Sequence, residues 1–155
     1  MYYQGAELPI KRLTEKPVRR GNLSGDHSAI IERMEALMKD KKLYRNAELK
    51  IMEVAHEVGV NLHILSAAIN QHYGHNFFDY INKLRIEELK TTLLDPSKNH
   101  LTLFAIARES GFQSNSSFYR VFKKHTGLTP KEYIKSQQKE PTFSQNVLSS
   151  NSQDR

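Results

Sequence analysis

The sequence contains no cysteine, which excludes disulfide bridges and zinc fingers with cysteine ligands. No apolar stretch approaches the roughly 20 residues of a membrane-spanning helix, and no signal-peptide pattern opens the chain. Nucleophile motifs such as G-x-S-x-G are also absent. We therefore expect neither an enzyme nor a bound cofactor, and no membrane segment in this chain.

Acidic residues are in the minority. The chain carries 23 lysines and arginines against 17 aspartates and glutamates, a net charge of +6, which favours an acidic partner. The surplus is uneven, because residues 101–139 carry seven basic and two acidic groups whereas residues 49–100 carry five and six. If both regions bind one polyanion, we expect the later region to supply more of the affinity from phosphate neutralisation.

One half of the core repeats the other. The stretch Val54 to Val60 aligns with Ile106 to Phe112 at an offset of 52 residues. After one extra residue the offset becomes 53, so that Ile69 aligns with Phe122. Two copies of a short helical unit in a basic chain indicate a protein that makes the same kind of contact twice. Duplex DNA, with equivalent grooves one helical turn apart, is the obvious partner.

Hydrophobic spacing predicts seven helices and no strand, so the expected fold class is all-α. Capping residues, glycines and Asp95-Pro96 mark the helix ends. The predicted helices cover about 28–39, 49–58, 61–73, 77–94, 102–110, 114–125 and 130–136. At 1.5 Å per residue the fourth is roughly 27 Å long, and it joins the two repeats.

Both ends of the chain lack this periodicity. The first segment mixes proline, glycine and basic residues, and the last is rich in serine, glutamine and asparagine. The predicted divisions are a flexible basic leader (1–27), a lead-in helix with its connection (28–48), the repeated core (49–138) and a disordered tail (139–155). Within the core, a first unit (49–75) and a second unit (101–138) flank a linking helix (76–95).

Each repeat follows the helix-turn-helix plan, with a short helix, a tight turn at Gly59 or Gly111, and a second helix. The turn needs a residue that tolerates unusual backbone angles, and the small Ala55 and Ala107 let the helices cross closely. The second helix of such a pair enters the major groove with its N-terminal residues facing base edges. One pair alone is weak evidence, but two pairs joined by a helix of fixed length are much stronger.

The core from about Leu49 to Ser136 resembles the DNA-binding domain of the AraC/XylS transcription regulators. The matching stretches are Ile51 to Val60, Leu65-Ser66, Phe77 to Ile86, Gly111-Phe112 and, most specifically, Ser117 to Pro130. The resemblance implies two homeodomain-like helix-turn-helix subdomains joined by a rigid helix, with both recognition helices on one face of double-stranded DNA. It also implies a bacterial, cytoplasmic, nucleoid-associated regulator, more often an activator than a repressor, with RNA polymerase as a further partner.

By position, the resemblance assigns DNA contacts to the second helix of each pair. The residues implied are His63, Ser66, Ala67 and Asn70 in the first unit, and Asn115, Ser116, Tyr119, Arg120, Lys123 and Lys124 in the second. Arg120 is the strongest candidate for base readout, because a guanidinium bonds guanine O6 and N7 together. Asn115 can pair with adenine in the same bidentate manner, whereas the two lysines are expected to contact phosphates.

The first copy departs from the family pattern. Ala67 stands where a basic residue is common, and Ile69 replaces the usual phenylalanine. Since Ala67 can at most touch a thymine methyl group, the first copy is expected to position the protein on DNA or to read a few A·T pairs weakly.

Many members of this family carry a ligand-sensing or dimerisation domain before the DNA-binding domain. Only about 48 residues precede the core, which is too few for such a domain. The resemblance therefore leaves two alternatives open: a stand-alone regulator, or the output end of a longer protein with a separate sensor.

A protein-interaction module is the main alternative function. The same helix pairs can bind RNA polymerase or a partner helix without reading DNA. The basic second unit argues partly against this alternative, since the centre of a purely protein-binding surface is normally depleted in lysine.

Other conspicuous residues have ordinary explanations. Phe118 and Phe122 have the spacing of core residues and are not expected to stack on bases. His72 and His75 are three residues apart, but no cysteine or nearby carboxylate completes a metal site. Arg85, on the linking helix, is expected to pair with acidic neighbours or to contact the DNA backbone.

Overall fold

The computed structural model describes residues 27–138, which form seven α-helices and no strand. The helices are α1 (His27–Lys41), α2 (Ile51–Val58), α3 (Leu62–Tyr73), α4 (Phe77–Thr92), α5 (Leu103–Glu109), α6 (Asn115–Thr126) and α7 (Pro130–Gln138). The all-α class is confirmed, and the predicted helix bounds differ from these by at most two residues. The predicted tail and leader lie outside the described residues, except for His27, which belongs to α1.

Four helices begin at a side chain that accepts a hydrogen bond from a backbone amide of the first turn. These residues are Asn61 before α3, Asn76 before α4, Thr102 before α5 and Ser114 before α6. Helix α7 begins with a reciprocal pair. The amide of Thr129 donates to Glu132 Oε2 at 2.8 Å, and the amide of Glu132 donates to Thr129 Oγ1 at 3.3 Å. Local sequence therefore fixes where these helices start.

Helix α4 belongs to two separate hydrophobic cores. In its first half, Phe77 and Ile81 pack in a core with α1, α2 and α3. In its second half, Ile86 and Leu89 pack in a core with α5 and α6, against which α7 also packs. The apolar residues of its two halves therefore face two different units. With 16 residues, α4 is about 24 Å long, and it is the linking helix that the sequence predicts.

The two helix-turn-helix units end their first helices in the same way. The amide of Val60 donates to the carbonyl of Ala55 at 3.0 Å, and the amide of Phe112 donates to the carbonyl of Ala107 at 3.1 Å. The donors of these two bonds are 52 residues apart in the sequence, and so are the acceptors. The recognition helices α3 and α6 have 12 residues each, and their N-caps are 53 residues apart. The extra residue in the second turn is therefore Gln113.

Residues 27–138 include no helix that is long and apolar enough to cross a bilayer. In the same part of the chain, no group of three or more histidines and carboxylates is arranged to hold a metal ion. His72 and His75 instead flank Tyr73, with ring centroids 4.6 and 5.6 Å from the tyrosine ring.

Candidate nucleic-acid interface

Helix α6 presents a polar strip to solvent and buries its opposite side. Phe118 and Phe122 are fully buried in the second core, so they anchor the helix, as their spacing predicts. Residues three and four positions apart share the other side of the helix. This α6 strip consists of Asn115, Ser116, Tyr119, Arg120 and Lys123, all of which are exposed except the half-buried tyrosine.

Helix α3 presents the equivalent strip in the first unit. The α3 strip consists of His63, Ser66, Ala67 and Asn70, which align with positions 116, 119, 120 and 123 at the offset of 53. Ser66 is half-buried and the other three are exposed, whereas Leu65 and Ile69 on the opposite side are fully buried. Apart from Lys124, each predicted set thus shares one accessible face of its helix, and its contact with DNA stays a prediction.

The two strips differ in charge. The α6 strip carries Arg120 and Lys123 without a carboxylate, whereas the α3 strip has no lysine or arginine, and Ala67 occupies the position of Arg120. Among the described residues, the guanidinium of Arg120 forms no ion pair and no hydrogen bond. Its donors are therefore available to an acceptor from outside the protein.

An open depression of about 510 Å³ marks the N-terminal end of α6 and is lined by Asn115, Ser116 and Tyr119. The side chains of all three both donate and accept hydrogen bonds. Base edges in the major groove present patterns of donors and acceptors that differ for each base pair. The start of α6 therefore has the chemistry that base readout requires.

Comparison with known proteins identifies this arrangement. The model of a family described as a helix-turn-helix domain matches residues 41–136, which is more than half of the chain and includes both strips. The chain belongs to the AraC-type helix-turn-helix family. The resemblance inferred from the sequence is confirmed, and the chain is a DNA-binding domain of the type found in AraC-type transcription regulators.

Several proteins resemble this AraC-type domain. An uncharacterized HTH-type transcriptional regulator of Staphylococcus aureus is 35% identical over 92 residues, which is 59% of this chain and 12% of that protein. The melibiose operon regulatory protein of Escherichia coli is 34% identical over 96 residues, covering 61% of this chain and 31% of that protein. The chain thus spans less than a third of the length of these curated relatives.

A solved structure shows the same fold at similar length. The C-terminal domain of AraT, a response regulator from Geobacillus stearothermophilus, has a TM-score of 0.58 and 25% sequence identity. The match covers 70% of this chain and 85% of that one. The two linked helix-turn-helix units of the AraC-type domain therefore recur in a chain that differs at most positions.

Lys124 has a partner within the protein that the sequence did not reveal. Its Nζ donates to Asp79 Oδ1 of helix α4 at 2.7 Å. This hydrogen bond lowers the pKa of Asp79 below its usual value, so the carboxylate stays ionised to a lower pH than that of a free aspartate. Of the three cations predicted on α6, Lys124 is the one that is already neutralised in the described part of the protein.

Replacing Asp79 with asparagine is expected to release Lys124 for a phosphate contact. In a plot of log binding constant against log salt concentration, the slope should become more negative by about 0.9, which corresponds to one more phosphate contact. Affinity for any duplex should rise roughly two- to fivefold at low salt. Glu87→Gln is the matched control, because it removes the same charge from α4 but frees Lys90, which lies 3.0 Å from Glu87. Equal changes in both variants would contradict the prediction.

The expected pairing of Arg85 with acidic neighbours is wrong. Its Nε donates to the carbonyl of Tyr44 at 2.7 Å, and its Nη2 donates to the carbonyl of Asn46 at 2.9 Å. The guanidinium also lies over the ring of Phe112, with Cζ 5.7 Å from the centroid. Burial lowers the pKa of Arg85. This side chain therefore ties helix α4 to the segment before α2, and within residues 27–138 it pairs with no carboxylate. No pattern in the sequence could have revealed this, because the acceptors are backbone carbonyls.

Proposed function

We propose that this domain is the DNA-reading part of a sequence-specific transcription regulator, and that α3 and α6 enter successive major-groove segments of one duplex. The observation that carries the proposal is the pair of matched strips. Both occupy the same positions on helices of 12 residues, and both leave polar side chains accessible. Recognition helices of helix-turn-helix proteins contact base edges through such residues near their N-terminal end.

The two helices contribute unequally in this proposal. Arg120 reads a guanine, Asn115 reads an adenine, and Lys123 contacts a phosphate. The α3 strip has no lysine or arginine, so it fixes the register of the protein on DNA and reads few bases. Lys124 contributes to phosphate binding only when it leaves Asp79. Most of the affinity, and most of its dependence on salt, therefore comes from the second unit.

The proposal extends to the biological setting. The resembled family is bacterial and contains more activators than repressors, so we propose a cytoplasmic, nucleoid-associated activator that helps to recruit RNA polymerase. Since the curated relatives are much longer than this chain, other parts of a regulator of this kind would carry any sensor. The domain itself determines which DNA site the regulator binds.

A gel-shift titration at rising salt concentration tests the proposed function. The log of the binding constant is expected to fall linearly with log salt, with a slope of about −2 or steeper from contacts to at least two or three phosphates. A site selected from random DNA should be bound about 1,000-fold more tightly than arbitrary duplex. Absence of duplex binding at low salt would contradict the proposal. If the same protein still bound RNA polymerase, a protein-interaction module would be the better description.

A further inference from the structure

The segment between α1 and α2 packs against the first core and also touches the turn of the second unit, so the two halves of the domain are joined beyond sharing helix α4. The segment between α1 and α2 lies against the middle of α4 and against the turn before α6. Arg45 Nε donates to both carboxylate oxygens of Glu88 on α4 at 3.0 Å, and Arg85 donates to the carbonyls of Tyr44 and Asn46. We call these contacts, together with those of residues 111–113 described below, the inter-unit junction.

Gly111 brings two backbone segments together at this junction. A Cβ atom at this position would lie 2.7 Å from the carbonyl oxygen of Tyr44, 2.9 Å from that of Arg45, and 2.8 Å from Nε of Arg85. Its φ of +98° also favours glycine. The turn of the second unit therefore approaches the segment between α1 and α2 more closely than any other residue type at position 111 would allow.

Gln113 adds a second direct contact. This residue is the one by which the second turn exceeds the first, and its side-chain amide donates to the carboxylate of Glu48. Ser114, the N-cap of α6, follows immediately, and Glu48 lies just before α2. The contact therefore joins the segment just before helix α2 to the start of recognition helix α6.

We propose that the inter-unit junction sets the angle between α3 and α6, and so determines which spacing between two DNA half-sites the protein accepts. Without the junction, helix α4 would contact each unit through only one of its faces. Bending or twisting of this helix would then change the angle between α3 and α6. The junction contacts lie beside the middle of helix α4. They connect the two units at points that are displaced from the axis of this helix. One base pair of added spacing turns the next groove segment by about 35° around the duplex, so a small change in this angle changes the preferred spacing.

The first test measures the geometry without DNA. Because the chain has no cysteine, Met52→Cys on α2 and Arg108→Cys on α5, both at exposed positions, give one label in each unit. Pulsed electron-spin distance measurement should give one narrow distribution in the otherwise unchanged chain. Gln113→Ala, at an exposed position, should broaden this distribution or shift it by a few ångström. An unchanged distribution would overturn the proposal.

The second test uses DNA and rests on the proposed function. Duplexes are built from the site that the unsubstituted protein selects from random DNA, with its two halves moved apart or together one base pair at a time. The unsubstituted protein should prefer one spacing over its neighbours by about tenfold, and Gln113→Ala should reduce this preference to about threefold or less. A uniform loss of affinity with the same spacing profile would overturn the junction proposal. If the unsubstituted protein showed no spacing preference, the proposed function would fail instead, while the label distances would still test the junction.

Gly111→Ala strengthens both tests, with Gly127→Ala as its matched control. Both glycines have positive φ, +98° and +75°, so both variants carry backbone strain. A Cβ at Gly127 meets nothing within 4 Å, so only Gly111→Ala pushes the two units apart. We expect Gly111→Ala to move the preferred spacing by at least one base pair and Gly127→Ala to leave it unchanged. Identical spacing profiles in the two folded variants would contradict the proposal.

Discussion

Replacing Arg120 with alanine is expected to weaken binding to a selected DNA site by about 5- to 150-fold, or about 1–3 kcal/mol. The guanidinium is exposed on the α6 strip and has no partner among the described residues, so no bond within the protein is lost. A bidentate contact to a guanine accounts for a loss of this size. The loss should fall on one base position, where the variant should accept all four bases.

Lys123→Ala is the informative comparison for this prediction, because Lys123 lies one turn further along the same strip. A phosphate contact carries no sequence information, so this variant should lose affinity about equally on every duplex and reduce the salt slope by about one contact. Competition binding against sites with single base changes separates the two patterns. An equal loss on all sequences for Arg120→Ala would mean that Arg120 also holds a phosphate.

Phe122→Ala is expected to lower the free energy of unfolding by about 3–5 kcal/mol. The ring is fully buried between Phe118 and Tyr133, with centroid distances of 5.9 and 5.6 Å. A loss of this size is comparable to the whole stability of a small domain, so the second unit should be largely unfolded. Since that unit carries the basic strip, binding to any duplex should fall steeply.

Phe78→Ala is the matched control for this core substitution. It removes the same side chain, but from α4 at a position that is 69% exposed. Its effect on the free energy of unfolding should stay within about 0.5 kcal/mol, as for most surface substitutions. Urea denaturation followed by circular dichroism measures both variants. Similar losses of stability in the two variants would contradict the assignment of Phe122 to the second core.

Local features of the fold could be predicted because single residues determine them. The N-caps Asn61 and Ser114 fix where the recognition helices begin, and the spacing of buried residues fixes which face each helix buries. A repeat offset that changes from 52 to 53 showed that the second copy has one extra residue, and the structure places that residue in the second turn. These signals lie within one helix or one turn.

Contacts between distant segments could not be predicted in the same way. Arg85 bonds to carbonyls 41 and 39 residues away, and any residue type supplies a carbonyl. Lys124 and Asp79 are 45 residues apart on two helices, and many other pairs of opposite charge fit the sequence equally well. Periodicity reports which face of a helix is buried, but it does not report which surface residues of two helices meet. The candidate strips were therefore predictable, whereas the partners that restrain them were not.

The measurement that tests the central claim most directly is a hydroxyl-radical footprint of the protein on its selected DNA site. If α3 and α6 occupy successive major-groove segments on one face, two protected regions should appear with centres about 10–10.5 base pairs apart. Arg120→Ala should weaken protection more strongly in one region than in the other. A single protected region, or two regions offset by about half a turn, would contradict the claim that both helices grip one face of the duplex.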